Sequence, residues 1–259
     1  MRVSRNVAGL PLESKVAIVT GSGTGIGRAV ALAFAEAGAD VVVAGRRLDP
    51  LDRVAREIRA LNRHASVVPT DVSKKGDVDK LVETAIAEFG VIDILVNNAG
   101  IISRVPILQT SEDEWDRVMD IDLKGYYLCC QAVGNRMIGQ GKGNIVNVAS
   151  SGGVSTCGGV SISAYGVAKA GVIRLTKGLA WELGRYGIRV NGIAPGYVIS
   201  EMTRHLWSDP EVLKQAEALR PLGRLAEPDE IASIALFLAS GASGNITGET
   251  IIADSGFLA

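Results

Sequence analysis

The sequence predicts an α/β fold, a Rossmann-type doubly wound parallel sheet of seven strands with helices on both faces, formed as a single domain over residues 1–259. Short runs rich in β-branched residues alternate with longer segments of helical period along the chain. Parallel strands need a long crossover connection, usually a helix, so this alternation favours a parallel sheet. The chain has 259 residues, of which 47% are hydrophobic, and this is enough to bury one sizeable core.

Each strand and helix is assigned from the period of its apolar residues. The predicted strands are, in chain order, Lys15–Thr20, Asp40–Gly45, Ala65–Thr70, Ile92–Asn97, Asn144–Ala149, Ile188–Ala194 and Glu249–Ala253. The predicted helices are Gly25–Gly38, Asp49–Asn62, Lys74–Gly90, Ser111–Gly139, Ala164–Tyr186 and Pro228–Ala239. The stretch Pro195–Leu225 has no clear period, and we interpret residues 196–225 as a substrate lid in which Asp209–Leu219 can itself be helical. Ligands of such folds bind outside the carboxyl ends of the strands, so residues after each strand are candidates for a site.

Charge and composition exclude several classes of function. The chain carries 27 Lys and Arg against 28 Asp and Glu, so neither nucleic acid nor an anionic membrane is expected as a partner. It has neither a signal peptide nor an apolar run near the roughly 20 residues that span a bilayer, and we expect a cytoplasmic protein. Cys129 and Cys130 are neighbours and Cys157 is alone, which indicates reduced structural thiols. His64 and His205 lie far apart, so no metal site is expected. A small-molecule substrate is therefore the kind of partner that we expect.

The first predicted strand leads into a glycine-rich turn that indicates binding of a pyrophosphate. Glycines let the backbone turn sharply and let a phosphate approach the positive end of the following helix. The candidate contacts are Gly21, Ser22, Gly23, Thr24, Gly25, Ile26 and Gly27. These glycines follow the pattern TGxxxGxG rather than GxGxxG, and the alternative is a turn that only packs the helix against the strand.

The end of the second strand indicates which dinucleotide is bound. An acid at this position would hydrogen-bond a ribose 2′-hydroxyl, but the sequence has Arg46 and Arg47 there. A guanidinium suits a 2′-phosphate, so NADP(H) is favoured. Asp49 is close enough to keep NAD(H) as an alternative, and the arginines could also simply begin a solvated helix.

A serine, a tyrosine and a lysine that follow the fifth predicted strand indicate proton-transfer chemistry. Ser150 ends the strand, and Tyr165 and Lys169 lie one helical turn apart at the start of the next helix. A free tyrosine has a pKa of about 10, and a neighbouring ammonium is expected to lower it. The pair can then act as general acid/base on a carbonyl oxygen that receives a hydride, while Ser150 holds that oxygen by a hydrogen bond.

These motifs together resemble those of the short-chain dehydrogenase/reductase family, and the resemblance covers all but the first dozen residues. The residues that carry it are the glycine turn, Asp71, Asn97, Asn98, Ala99, Gly100, Ser150, Tyr165, Lys169, Asn191, Pro195 and Gly196. The resemblance implies that Asp71 and Val72 contact adenine and that Lys169 also binds the nicotinamide ribose. The other cofactor contacts that it implies are Asn98, Ala99, Gly100, Tyr165, Pro195, Gly196, Val198 and Ser200. The residues alone also allow Asp71 to be a helix cap and Asn97 a turn residue.

Three positions depart from the family pattern. The usual catalytic Asn that holds a relay water is matched by Asp122, which adds a negative charge near the lysine. The gap from Ser150 to Tyr165 is two residues longer than usual, which makes Ser151 an alternative to Ser150. A Thr that helps to bind the cofactor is matched by Ser200, which keeps the hydroxyl.

Within the family, the segments Asn191–Tyr197 and Glu201–Thr203 are similar to those of gluconate 5-dehydrogenases and related keto-sugar-acid reductases. Arg104 is a candidate to clamp a sugar-acid carboxylate, as in 5-keto-gluconate, or it is a loop arginine paired with surface acids. For His205 and Trp207, packing within the lid is favoured over substrate contact.

Two other functions stay open. One is reduction of a 3-oxoacyl thioester on acyl carrier protein, and the other is a catalytically silent, NADP-binding sensor, for which Asp122 is the supporting feature. The resemblance also implies a homotetramer, built through the helices Ser111–Gly139 and Ala164–Tyr186, with Ile251–Ala259 at another interface.

Overall fold

The computed structural model describes residues 10–156, 163–201 and 203–259 and shows one parallel sheet of seven strands. The strands are β1 (Val16–Thr20), β2 (Asp40–Gly45), β3 (Ala65–Pro69), β4 (Ile94–Asn97), β5 (Gly143–Val148), β6 (Ile188–Pro195) and β7 (Thr250–Ala253). Their order across the sheet is β3-β2-β1-β4-β5-β6-β7, and every neighbouring pair is parallel. The chain order reverses between β1 and β4, and ligands of doubly wound sheets bind at that point. The predicted fold class is confirmed.

The helices lie on both faces of this sheet. They are α1 (Gly25–Glu36), α2 (Leu48–Ala60), α3 (Lys75–Phe89), α4 (Glu112–Met119), α5 (Gly125–Gln140), α6 (Ser163–Leu183), α7 (Pro210–Ala218) and α8 (Pro228–Ala239). Within the described ranges, no helix is both long enough and apolar enough to cross a bilayer.

The sheet is buried on both faces because alternate residues of each strand enter separate cores. On β2, Val41 and Val43 join a core with α1, α2 and α8, whereas Val42 and Ala44 join a core with α3 and α5. Two-sided burial explains why the strands are continuous apolar runs rather than an alternation of apolar and polar residues.

The predicted helix Ser111–Gly139 consists of three segments. Between α4 and α5, residues Asp120–Lys124 form a π-helical turn, which contains the buried Asp122. A π-turn widens the helix by one residue and often occurs at functional sites. The backbone stays helical from α4 through this turn into α5.

The two ends of the predicted lid are fixed to each other. Val198 and Ala226 form an isolated parallel bridge, in which the Ile199 N–H donates to the Ala226 carbonyl at 2.9 Å. Between them lies α7, whose first turn is capped by the Asp209 carboxylate accepting from the Glu211 N–H at 2.9 Å. The predicted helix in this segment is therefore confirmed.

The cysteines that the structure describes are buried in the core beside α3. Burial raises the pKa of both thiols, those of Cys129 and Cys130. For Cys130 the pKa rises to about 12. They are therefore protonated and unreactive at neutral pH. Cys157 lies outside the described residues.

Candidate active site

A cavity of about 410 Å³ lies along the carboxyl ends of β1, β2, β4, β5 and β6. Nearly every candidate residue from the sequence lines it. Those residues are Gly21, Gly23, Thr24, Gly25, Ile26, Arg46, Arg47, Asp71, Val72, Asn98, Ala99, Gly100, Arg104, Asp122, Ser150, Tyr165, Lys169, Pro195, Gly196, Val198 and Ser200.

Two expected cofactor contacts, Ser22 and Gly27, are not among the lining residues. The Ser22 hydroxyl is buried and accepts a hydrogen bond from the Ala44 N–H at 3.0 Å, which ties the turn to β2. Gly27 packs so closely behind the turn that a Cβ there would overlap the Gly21 carbonyl and lie 2.5 Å from the Asn98 amide nitrogen. Both residues therefore shape the turn from behind rather than face the cavity.

The glycine turn is supported by a residue that the sequence analysis did not select, Thr20. Its hydroxyl accepts from the backbone N–H groups of Asn98 and Ala99 at 3.0 and 3.1 Å. The Asn98 side chain donates in return to the carbonyls of Thr20 and Gly21 at 3.0 and 3.2 Å. These bonds join the ends of β1 and β4 and hold the turn in place. A hydroxyl residue directly before the first glycine was the available signal.

The helix that follows the turn presents its positive end to the cavity. Gly25 begins α1, and the Thr24 side chain does not cap it. Gly25 has a φ of 54°, and a Cβ there would come within 3.3 Å of the Ser200 Cβ on the lid side. The absence of a side chain keeps a gap open between the turn and the lid.

Positive charge lies at the end of β2. Arg46 and Arg47 are exposed, and no carboxylate in the described part of the chain forms a salt bridge with either. Burial would raise the pKa of the neighbouring Asp71, but hydrogen bonds from Ser73 and the charges of Lys74 and Arg46 lower it overall. Arg46 is thus close enough to Asp71 to act on its charge.

The three proposed chemical groups meet at the opposite side of the cavity. Ser150 lies two residues after the end of β5, and its hydroxyl accepts from the Gly152 N–H at 3.1 Å and hydrogen-bonds Tyr165. The short turn after Ser150 packs directly on α6, since a Cβ on Gly153 would lie 2.6 Å from the Ala170 nitrogen. This contact fixes Ser150 beside the tyrosine. Ser151 also borders the cavity, and residues 157–162, which are part of the longer gap, lie outside the described part.

Burial has a larger effect on Tyr165 than the sequence analysis expected. Burial raises its pKa above the usual value, and the charge of Asp122 adds to the rise. Lys169 and the hydrogen bond with Ser150 lower the pKa but do not compensate fully. The expected lowering by Lys169 is present, but burial outweighs it, and the pKa of Tyr165 lies above that of a free tyrosine.

The ammonium of Lys169 has three buried partners. It lies 3.3 Å from Asp122 Oδ1, 2.9 Å from the Tyr126 hydroxyl and 3.2 Å from the Val148 carbonyl. Asp122 also accepts from the Ile101 N–H at 3.1 Å. Burial raises the pKa of Asp122, while Lys169 and the Ile101 hydrogen bond oppose that rise. Tyr126 was not selected from the sequence, although its position four residues after Asp122 placed it within reach.

Two further arginines line the cavity. Arg104 is partly exposed and lines the cavity. Arg220, which the sequence analysis did not select, is buried, and its guanidinium lies 4.7 Å from the Tyr197 ring centroid and 5.0 Å from that of Phe257. Trp207 packs on Tyr197 with ring centroids 5.1 Å apart, as lid packing predicts. The His205 side chain is outside the described part.

Known proteins resemble this chain over nearly its full length. Residues 21–258 match the family described as enoyl-(acyl carrier protein) reductase. The 2-dehydro-3-deoxy-D-gluconate 5-dehydrogenase of Escherichia coli K12 is 40% identical over 251 residues, which cover 96% of this chain and 97% of that protein. A 3-oxoacyl-(acyl-carrier-protein) reductase of Thermotoga maritima is 38% identical over 248 residues, covering 95% of this chain and 99% of that protein.

A solved structure gives the same result at the level of the fold. The gluconate 5-dehydrogenase of Burkholderia cenocepacia J2315, in complex with NADP and tartrate, superposes with a TM-score of 0.90 at 36% identity, covering 96% of this chain and 97% of that one. The family match, these relatives and the shared fold agree with the resemblance seen in the motifs. The chain therefore belongs to the short-chain dehydrogenase/reductase family and is an oxidoreductase.

Proposed function

We propose that this oxidoreductase uses NADP(H) to interconvert a keto-sugar acid, such as 5-keto-gluconate, and its secondary alcohol, with Tyr165 as general acid/base. One observation carries the proposal. Ser150, Tyr165 and Lys169 meet in the same cavity that extends along the glycine turn to Arg46 and Arg47. β2 and β5 are three strand spacings apart, about 14 Å, so the cavity offers room for an extended dinucleotide.

The lining fits a dinucleotide phosphate. The gap beside Gly25, which a Cβ would fill, and the start of α1 suit a pyrophosphate. Arg46 and Arg47 suit a 2′-phosphate through charge-assisted hydrogen bonds. The NADP of the Burkholderia relative is consistent with this preference, and NAD(H) is the alternative.

The residues around Tyr165 can move the proton that the reaction needs. The nicotinamide, when bound, supplies or accepts the hydride. Burial raises the pKa of Tyr165, so the phenol keeps its proton at neutral pH and can donate it to a carbonyl oxygen. Ser150, which hydrogen-bonds the phenol, holds the same oxygen as charge develops. The Lys169 ammonium favours the phenolate that remains.

The substrate class rests on Arg104 and on the relatives. Arg104 lines the cavity, and a guanidinium can hold a carboxylate by two parallel hydrogen bonds. Two relatives act on sugar acids by name, a 2-dehydro-3-deoxy-D-gluconate 5-dehydrogenase and a gluconate 5-dehydrogenase. Both observations favour a substrate with a carboxylate.

The test is the oxidation of NADPH or NADH by the purified protein with 5-keto-gluconate, a neutral sugar ketone, a hydrophobic diketone and a 3-oxoacyl thioester. We expect the fastest oxidation with NADPH and 5-keto-gluconate. Tyr165→Phe should abolish it, and Arg104→Ala should raise KM for the sugar acid about tenfold, as loss of a charge-assisted pair implies, without affecting the neutral ketone. A neutral ketone as the best substrate would discard the sugar-acid proposal, and silence with every carbonyl would discard the enzymatic role.

A second candidate function is reduction of a 3-oxoacyl thioester. The Thermotoga relative has this activity by name, at an identity close to that of the sugar-acid relatives. Faster turnover of the thioester, unaffected by Arg104→Ala, would favour this candidate.

The proposal also includes a substrate lid, a cellular compartment and an oligomeric state. Residues 196–225 act as the lid, since Val198, Ser200 and Thr203 line the cavity while the ends of the segment are joined by the bridge to Ala226. The protein works in the cytoplasm as a homotetramer. Exposed apolar side chains on α5 and α6, including Trp181, support an interface there.

A further inference from the structure

We propose that Tyr126 is a positioning residue for the lysine of the active site, and that its buried hydroxyl holds the Lys169 ammonium away from Asp122 and beside Tyr165. This inference rests on the proposed role of Tyr165 and Lys169 as the acid/base pair. Neither the motifs nor the named relatives assign a role to Tyr126.

The Lys169 ammonium lies closer to the Tyr126 hydroxyl than to the Asp122 carboxylate. A carboxylate normally lies 2.7–2.9 Å from an ammonium that donates to it. Here the Lys169 Nζ to Asp122 Oδ1 distance is 3.3 Å, whereas the distance to the neutral Tyr126 hydroxyl is 2.9 Å. The tightest contact of the ammonium is thus with the tyrosine rather than with the charged carboxylate.

The Tyr126 hydroxyl is itself held in place. It donates to the Val148 carbonyl at 2.8 Å, and that carbonyl also accepts from Lys169 at 3.2 Å. The side chain is fully buried, and its burial followed by the charge of Asp122 raises its pKa well above the usual value. The hydroxyl therefore stays neutral and offers the ammonium a fixed acceptor.

The position of the Lys169 ammonium matters because Tyr165 and Asp122 both interact with its charge. Lys169 Nζ lies 5.6 Å from the Tyr165 ring centroid on one side and beside Asp122 on the other. Lys169 lowers the pKa of Tyr165, and Asp122 raises it. An ammonium that moved onto Asp122 would form a tighter neutral pair and would favour the Tyr165 phenolate less.

Other ionisable groups nearby do not replace this contact. Arg117 on α4 acts on the charge of Asp122, and Cys129 and Cys130 on α5 would raise the pKa of Tyr126 if they were ionised. Burial keeps both thiols protonated, with the pKa of Cys130 at about 12. The balance at Tyr165 therefore depends on Lys169, Asp122 and the acceptor that separates them.

The test is the pH dependence of alcohol oxidation, which requires the Tyr165 phenolate. Tyr126→Phe keeps the ring but removes the acceptor. The acid limb, which is the rise of the oxidation rate with pH as Tyr165 loses its proton, should therefore move to higher pH by about 0.5 unit. At a pH below that limb, the rate should fall about threefold. Tyr127→Phe is the matched control, since the neighbouring hydroxyl is exposed and accepts from the Gln131 side chain instead. It should leave the limb in place.

A double variant separates positioning from a general loss of packing. In Asp122→Asn the carboxylate is gone, so adding Tyr126→Phe should no longer move the limb upward. Site-specific 3-fluorotyrosine at position 126 keeps the fold and weakens the acceptor, and it should move the limb in the same direction by less.

An unmoved limb in Tyr126→Phe and in the fluorotyrosine protein would overturn the inference, as would an equal upward shift with and without Asp122. The proposed function fails on a different result, which is full activity of Tyr165→Phe.

Discussion

At the residue scale, we propose that cofactor choice depends on Arg46. Arg46→Ala removes a guanidinium that forms no salt bridge with a described carboxylate, so on this proposal the loss falls on the 2′-phosphate of the cofactor. We expect the KM for NADPH to rise about tenfold, equivalent to about 1.4 kcal/mol, with little change for NADH. Initial-rate kinetics with both cofactors measure this, and Arg53→Ala, an exposed arginine of α2 away from the cavity, is the control. Equal losses for both cofactors would contradict the 2′-phosphate role.

Asp122 contributes to the raised pKa of Tyr165, the proposed acid/base residue. Its charge raises the pKa of Tyr165, so Asp122→Asn should lower that pKa. Alcohol oxidation needs the phenolate, and its acid limb should therefore move to lower pH. Carbonyl reduction needs the phenol and should decline at a lower pH than in the wild type. Rate profiles in both directions measure the shift, and movement toward higher pH would contradict it.

The residues that sequence reasoning found are those whose chemistry is tied to a short spacing. Tyr165 and Lys169 are one turn apart on a helix, and Ser150 closely follows a strand, so their convergence could be predicted. The sequence analysis did not select Thr20, Tyr126 and Arg220. The hydroxyl before the first glycine and the position of Tyr126 after Asp122 were local signals, but the contacts that give these residues their roles are with partners distant in the chain. Thr20, for example, bonds residues 78 and 79 positions away. The raised pKa of Tyr165 was missed because burial of a side chain is a property of the folded cavity.

At the scale of elements, the close packing of α1 behind the glycine turn predicts a strong effect of one methyl group. Gly27→Ala places a Cβ against the Gly21 carbonyl, so the turn or the helix must shift. We expect a loss of about 1–3 kcal/mol in the free energy of unfolding, as for overpacked cores, together with weaker cofactor binding. Urea unfolding and cofactor titration measure the two effects.

Gly76 provides the matched control for that substitution. It lies in α3, and nothing is within 4 Å of where its Cβ would be. Gly76→Ala should be neutral or stabilise by up to about 1 kcal/mol, since alanine is the better helix former. Equal losses for both variants would show that the packing of Gly27 is not the cause.

The strands were predictable because burial on both sides of the sheet requires apolar runs, whereas the π-turn was not. Residues Asp120–Lys124 continue the helical pattern of α4 and α5, and one extra residue in a turn leaves no distinct period in so short a segment. The turn nevertheless places Asp122 against Ile101 and Lys169. The departure of the helix from regularity is thus part of the site.

At the scale of the whole molecule, the surface of α6 predicts assembly. Trp181 is 90% exposed, and Val167, also exposed, lies about four turns earlier on nearly the same side of the helix. A large exposed tryptophan indicates an interaction surface, and association of copies through α5 and α6 would cover it.

Trp181→Glu should therefore break the proposed tetramer into smaller species while leaving the protomer folded, because a charge buried without a partner opposes association. Light scattering measures the mass, and circular dichroism confirms the fold. Leu108→Glu is the control, since Leu108 is 97% exposed and lies outside both helices. It should keep the wild-type mass. A monomeric wild type would contradict the tetramer itself, whereas a tetrameric Trp181→Glu would place the interface on another surface, such as the one around Ile252 at the C-terminal strand.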